Sequence, residues 1–386
     1  MTALKEVRLG VVGVGSMGSW HARSVLDGLI PRCRLTAVCD ILPEARDQFE
    51  SVRKFSDPGE MFRSGTVDAI ILATPHYLHT TVGIVALESG LHVLTEKPMA
   101  VHKADAERML AAHKGRKTVF GIMFQLRTEP LWMKVRQLVH TGELGRISRI
   151  NWTVTDWFRT EAYYASGSWR ASWKGEGGGI LVNQCVHNLD LWQWILRMPV
   201  RVRAVCCFGK RHAIEVEDEV YAILEYADGA VGQFCASTCE APGVNRWEIA
   251  GDRGLLVVEG GRINYTRNEQ SADSVIRNSK HAYEAPEVWR TRVPEGGRGG
   301  GHNEVIRNFV EAILDGTPLI APAAEGLHQI ELSNAILYSS LTGKPVDLPL
   351  DSAAFEEAHA SLVAKSRERT AVTARDRDEV PRYIVK

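Results

Sequence analysis

The chain has little that would tie it to a surface, a polyanion or a cross-linked framework. Its 386 residues carry a formal charge of −1, with 46 Lys and Arg against 47 Asp and Glu. That balance offers neither a basic face for nucleic acid nor a long acidic tail, so no nucleic-acid partner is expected. No apolar run approaches the roughly 18–20 residues that a membrane span needs, and no membrane partner is expected either. The cysteines Cys33, Cys39, Cys185, Cys206, Cys207, Cys235 and Cys239 are odd in number and lack any C-x-x-C spacing. Both a disulfide framework and a zinc site are argued against, and the thiols are expected to be reduced and mostly buried. No internal repeat is visible. The first strand opens at Val7, which leaves no room for a charged, apolar and cleavable leader, so a cytoplasmic location is expected.

What is present points to two domains. A hydrophobic content of 45% supports sizeable cores at this length. From Val7 to His21 a short apolar run breaks into Gly13-x-Gly15-x-x-Gly18, the pattern of a strand, a tight turn and a helix start. The first glycine permits the turn, the second lets the backbone approach a pyrophosphate, and the third lets helix pack on strand. Ser16 and Met17 lie between the second and third glycines, and the N-terminus of the helix that follows faces the anion. A second apolar run, Leu35–Cys39, ends in Asp40, 22 residues past Gly18. A carboxylate there binds ribose hydroxyls and repels a 2′-phosphate, and no arginine directly follows it. NAD is therefore expected in preference to NADP, with a flavin or an empty fold as the competing readings.

An alternation of strands and helices continues to Gln125, which predicts a parallel sheet of about six strands. Helices are expected over Trp20–Leu29, Pro43–Val52, Glu60–Ser64, Thr81–Ser89 and Ala104–His113, and strands over Val67–Thr74, Leu91–Thr95 and Thr118–Gln125. Two loops fall at carboxyl strand ends, Thr74-Pro75-His76-Tyr77-Leu78-His79 and Glu96-Lys97-Pro98. After a helix over Leu131–Thr141 the pattern changes. Strand-like runs over 147–157, 200–208, 218–225, 232–238, 246–251 and 254–260 predict a mostly antiparallel open sheet, interrupted by a long helix over Ile180–Leu196. The fold class is thus α/β: a doubly wound parallel sheet of Rossmann type over 1–125, and an α+β domain with an open antiparallel sheet over 126–350. The latter takes in helices over Asn303–Asp315 and Glu325–Thr342. A further helix over Ala353–Arg367 and a surface tail over Glu368–Lys386 complete the chain at 351–386. One face of the open sheet would lack cover, which predicts a homodimer or homotetramer formed through it.

Two residues stand out for acid–base chemistry. Lys97 follows a parallel strand at the edge where doubly wound sheets hold ligands, flanked by Glu96 and Pro98. His187 follows the glycine run 177–179, with Asn183 four residues earlier on the same helical face and Asp190 three later to orient the ring. A surface lysine and a satisfied core histidine are the plain structural alternatives. His76 and His79 form no metal site, because no third ligand accompanies them at a sensible spacing. Between 157 and 173 lies a dense cluster that includes Tyr163, Tyr164, Trp169 and Arg170. Aromatic faces with arginine suit a sugar or polyol, and Arg127 would close another side of such a pocket.

This ordered series, Gly13-x-Gly15-x-x-Gly18-x-x-His21, Thr74-Pro75 with His79, Glu96-Lys97-Pro98, and a glycine run leading to His187-x-x-Asp190, resembles the Gfo/Idh/MocA oxidoreductases across nearly the whole chain to about Leu350. The resemblance implies tightly held NAD or NADP and oxidation of sugars or cyclitols. It implies cofactor contacts at Gly13, Gly15, Ser16, Met17, Gly18, Asp40, Thr74, Pro75, His79, Glu96 and Lys97. It further implies Lys97 as hydrogen-bond donor and His187 as acid/base, with Asn183, Arg127, Trp169, Arg170 and Tyr164 at the substrate. The family's aspartate four residues before the histidine is Asn183 here, and an amide can position a hydroxyl but cannot take its proton. The chain also resembles a subgroup with Asn-Gln-Cys-x-His and Ala-Pro-Gly-x-Asn-Arg, here Ala241–Arg246, a resemblance that implies action on glycosides or anhydrosugars. A glycosidase-type enzyme with an internal redox cycle and a non-catalytic dinucleotide sensor are the alternatives.

Overall fold

The computed structural model describes residues 5–167 and 169–367; the tail expected over Glu368–Lys386 lies outside the described residues. The chain forms two compact units. One takes the residues up to Thr128 together with Lys174–Gly177 and Gly299–Ile330; the other takes Glu129–Trp173, Gly178–Arg298 and the chain from Glu331.

In the first unit, strands and helices alternate: β1 (Val7–Val12), α1 (Ser16–Leu26), β2 (Cys33–Cys39), α2 (Pro43–Arg46), β3 (Arg53–Phe55), α3 (Pro58–Arg63), β4 (Ala69–Leu72), α4 (His76–Glu88), β5 (His92–Thr95), α5 (Lys103–His113) and β6 (Phe120–Ile122). The six strands are parallel in the order β3-β2-β1-β4-β5-β6. This is the doubly wound order, which reverses between β1 and β4 and opens a crevice at the carboxyl ends of those strands. β1 and β4 read as nearly unbroken apolar runs because helices cover both faces of such a sheet. Leu9, Val11, Ala69 and Ile71 are fully buried.

Three local readings shift. The helix expected over Pro43–Val52 is only Pro43–Arg46, and the short edge strand β3 follows it. The helix expected from Thr81 starts at His76, so the residues 76–79 form its first turn instead of a loop. The helix Gly301–Asp315, grouped in the sequence with 126–350, packs in the first unit. Its Val305, Ile306, Phe309 and Val310 share one core with Leu9, Val11 and Ile71.

The second unit is built on a sheet of β7 (Ile147–Val154), β8 (Arg201–Phe208), β9 (Glu217–Glu225), β10 (Val231–Ser237), β11 (Asn245–Gly251), β12 (Gly254–Glu259), β13 (Arg262–Asn268), β14 (Val288–Val293) and β15 (Val346–Asp347). Their order is β14-β13-β12-β11-β7-β10-β9-β8-β15, with β7 and β10 parallel and the other pairs antiparallel. Helices Pro130–His140 and Val186–Leu196 cover one face through tryptophans. Trp152 and Trp247 stack at 4.0 Å, Trp192 lies parallel to both, and Trp192 Nε1 donates to Tyr226 Oη at 2.7 Å. On the other face Val205, Tyr221, Ile223 and Val231 are exposed beside the ion pairs Arg149–Glu248 and Arg246–Glu259.

Candidate functional site

The glycine turn of the first unit is tight where protein surrounds it and open where it does not. Gly13 adopts φ +84°, and a Cβ there would stand 2.6 Å from Ala73 O. A Cβ on Gly18 would fall 1.7 Å from Gly13 O, whereas one on Gly15 would meet nothing within 4 Å. Gly15, Ser16 and Met17 are exposed, and α1 starts with no side-chain cap and no acidic residue in its first turn. The amides of that turn are left for an anion. Asp40, at the end of β2, accepts from Val14 N at 2.8 Å and from Leu42 N at 2.9 Å. Each carboxylate oxygen keeps a lone pair for ribose hydroxyls, and its charge repels a 2′-phosphate. These residues fit NAD: the turn would hold the pyrophosphate and Asp40 the adenosine ribose.

The two loops at the carboxyl ends of β4 and β5 are held from beneath. His79 is 1% exposed, with Nδ1 2.7 Å from Pro98 O and Nε2 2.8 Å from Thr74 O. Burial pushes its imidazole below the usual value, against the raising effect of those carbonyls. The ring of His79, a residue expected at the cofactor, ties the Thr74-Pro75 turn to the Glu96-Lys97-Pro98 turn. His76 Nδ1 lies 2.9 Å from Glu176 O in the same way. Glu96, also expected at the cofactor, is buried with Oε1 2.7 Å from His21 Nε2, while its Oε2 accepts from Lys97 N at 3.2 Å. Burial alone would raise this carboxyl. The bond and charge of His21, with His302 and Lys97, outweigh it and hold Glu96 at about 2. His302 is driven down to about 4, chiefly by burial.

In the second unit, the chain entering helix Val186–Leu196 is not helical before Cys185. Ile180 N donates to Glu217 O at 3.0 Å and Leu181 N to Glu217 Oε1 at 3.1 Å, which pins this backbone to the start of β9. The helix expected from Ile180 is corrected accordingly. Asn183 lies in a turn, not on a helical face shared with His187, and His187 occupies the first turn of the helix. Asp190 Oδ1 accepts from Gln193 Nε2 at 2.9 Å.

Of the residues expected at a substrate, two are buried and bonded within their own units. Tyr164 is buried, its hydroxyl 2.9 Å from Thr238 Oγ1 and its ring edge-on to His212. Arg127 is 2% exposed in the first unit, its Nη1 bound to Glu325 and to Ile320 O. The side chain that gathers the others is Tyr163, whose oxygen receives Arg170 Nη1, Gln184 Nε2 and Asn183 Nδ2. Trp169 stacks on Arg170, with 4.5 Å from ring centroid to guanidinium carbon. Tyr163 was visible in the aromatic cluster but indistinguishable there from its neighbour. Among the described residues, His212, Asp218 and Cys239 also converge. Hydrogen bonds occupy them: His212 Nε2 lies 3.0 Å from Arg159 O, and Asp218 accepts from Lys210 N and Arg211 N.

Comparison with known proteins matches residues 7–124 to the oxidoreductase family with an NAD-binding Rossmann fold, and residues 132–257 to the GFO/IDH/MocA C-terminal domain. The chain belongs to the GFO/IDH/MocA family. As a member, it is an NAD-binding oxidoreductase. Similar members include the levoglucosan dehydrogenase of Pseudarthrobacter phenanthrenivorans, 25% identical over 91% of this chain and 100% of the relative. The myo-inositol 2-dehydrogenase of Thermotoga maritima is 23% identical over 83% and 91%. Among solved structures of the family, the WlbA dehydrogenase from Bordetella pertussis, in complex with NADH and UDP-GlcNAcA, superposes with a TM-score of 0.77. It is 27% identical, covering 90% of this chain and all of that one.

Proposed function

We propose that the protein oxidises a secondary hydroxyl of a sugar, glycoside, anhydrosugar or inositol, with His187 accepting the hydroxyl proton and Lys97 donating a hydrogen bond to that oxygen. The observation that carries the reading is the glycine turn with Asp40 bonded to its Val14 amide, in a chain that also keeps Lys97 in the turn after β5 and His187 at a helix start. NAD, when bound, supplies the hydride acceptor. The positive charge of Lys97 favours an oxygen that becomes more negative as its proton departs. The exposed Val205, Tyr221, Ile223 and Val231 support a homodimer or homotetramer through the open sheet, and a cytoplasmic location goes with this reading.

The test is NADH absorbance from purified protein with NAD, and with NADP in parallel, against inositols, glucose, methyl glucosides, levoglucosan and xylose. One substrate class should give NADH, and Lys97→Ala and His187→Ala should abolish it while NAD still binds. Full activity in both variants overturns the assigned roles. Cleavage of a glycoside without net NADH favours the internal redox cycle.

A further inference from the structure

Three N–H groups converge on the Tyr163 phenol oxygen: Arg170 Nη1 at 3.0 Å, Gln184 Nε2 at 3.1 Å and Asn183 Nδ2 at 3.4 Å. A phenol oxygen has two lone pairs and one proton, so the two shorter contacts, from Arg170 and Gln184, already fill its accepting capacity, and the Asn183 N–H closes a further approach to it. The phenol proton itself finds no acceptor among the described residues. The ring is nevertheless held firmly, with the Arg159 and Arg170 guanidinium carbons 4.9 and 4.8 Å from its centroid and Tyr164 edge-on at 5.2 Å. A fixed, half-buried hydroxyl whose lone pairs are taken and whose proton points elsewhere is a donor built for an oxygen that arrives with a ligand.

We propose that Tyr163 contacts the sugar, donating its O–H to a hydroxyl oxygen, and that Asn183 is the positioning residue that turns this proton outward. The proposal rests on the dehydrogenase reading above. It also gives a reason for an amide at the position where the family resemblance expects a carboxylate. The Asn183 amide donates to the phenol oxygen and so excludes the phenol proton from that side. An aspartate would accept that proton and turn the hydroxyl inward. Asn183 and Tyr163 thus form one recognition unit, made of groups that neither gain nor lose a proton in the reaction.

Tyr163→Phe should lower kcat/KM for the sugar that turns over by roughly 5- to 100-fold, the range for a site left with an unmatched polar group. NADH binding, followed by fluorescence, should stay within about twofold. Asn183→Asp should lower kcat/KM comparably, and the double variant should be no worse than the poorer single one, because both changes remove the same contact. A deoxy analogue lacking the contacted hydroxyl should react equally with wild type and Tyr163→Phe, a pattern that a general loss of structure does not produce. Wild-type kcat/KM in Tyr163→Phe, or additive losses in the double variant, overturns the proposal and leaves the dehydrogenase reading standing. A wild-type protein that neither reduces NAD nor, when loaded with NADH, binds any panel sugar by calorimetry overturns both.

Discussion

His21 Nε2 and Glu96 Oε1 stand 2.7 Å apart with side chains 0% and 9% exposed, so the carboxylate beside Lys97 is held by a buried imidazole from α1. The other oxygen of Glu96 fixes the Lys97 amide, and His302 and Trp20 close around the pair. Since Glu96 titrates near 2 in the folded protein against an ordinary 4.5, its charge adds stability above about pH 4.5 that is lost as pH falls towards 2. Glu96→Gln should destabilise the protein at pH 7 by about 3–5 kcal/mol, the cost of breaking a buried pair from one side. The gap to wild type should narrow as the pH is lowered through that window. Urea denaturation at pH 7, 4 and 3 measures both effects, and equal stability at pH 7 contradicts the pairing.

The glycines of the nucleotide turn should separate folding from binding. Gly15→Ala adds a Cβ that meets no protein atom within 4 Å, so its melting temperature should stay near wild type. The same methyl intrudes where the backbone should meet the pyrophosphate, and the NAD Kd should rise about tenfold or more. Gly18→Ala drives a Cβ into Gly13 O and should cost about 1–3 kcal/mol of stability or more. A Gly15→Ala protein that binds NAD normally would place the pyrophosphate elsewhere.

Asp40 is oriented by Val14 N and Leu42 N, so its charge stands at a fixed point next to the turn. Asp40→Asn keeps the shape and removes the charge. The preference for NAD over NADP, measured as a ratio of Kd values, should fall by about tenfold, or ~1.4 kcal/mol. An unchanged ratio would mean that discrimination against the 2′-phosphate comes from other groups.

The first unit was largely legible in the sequence because its strands are buried on both faces and punctuated by glycine, proline and aspartate. β3 was not, since three residues at a sheet edge carry no pattern. In the second sheet, β14 is exposed almost throughout, so no alternation marks it. Periodicity extended helix Val186–Leu196 too far back. Apolar residues at 180–182 continue its pattern, and only the contacts with Glu217 show that they turn instead. For the site, residue type identified Lys97, His187 and Asn183 as candidates, but it could not choose between adjacent tyrosines. Tyr164 meets Thr238 and Tyr163 meets Asn183, contacts between residues far apart in the chain.

Arg127 tests that distinction between chemistry and support. Its residue type and position after the sixth strand suggested a hand on the sugar, yet its guanidinium is buried against Glu325, Ile320 O and the Phe124 ring. It therefore ties the turn Gln125–Thr128 to the chain returning at 320–325. Arg127→Ala should leave the Ile320 carbonyl short of a donor and lower stability by about 1–3 kcal/mol. At a temperature where the variant stays folded, the KM for sugar should remain within about twofold of wild type. Chemical denaturation and steady-state kinetics on the same preparation decide the matter. A large rise in KM with stability intact would return Arg127 to the substrate.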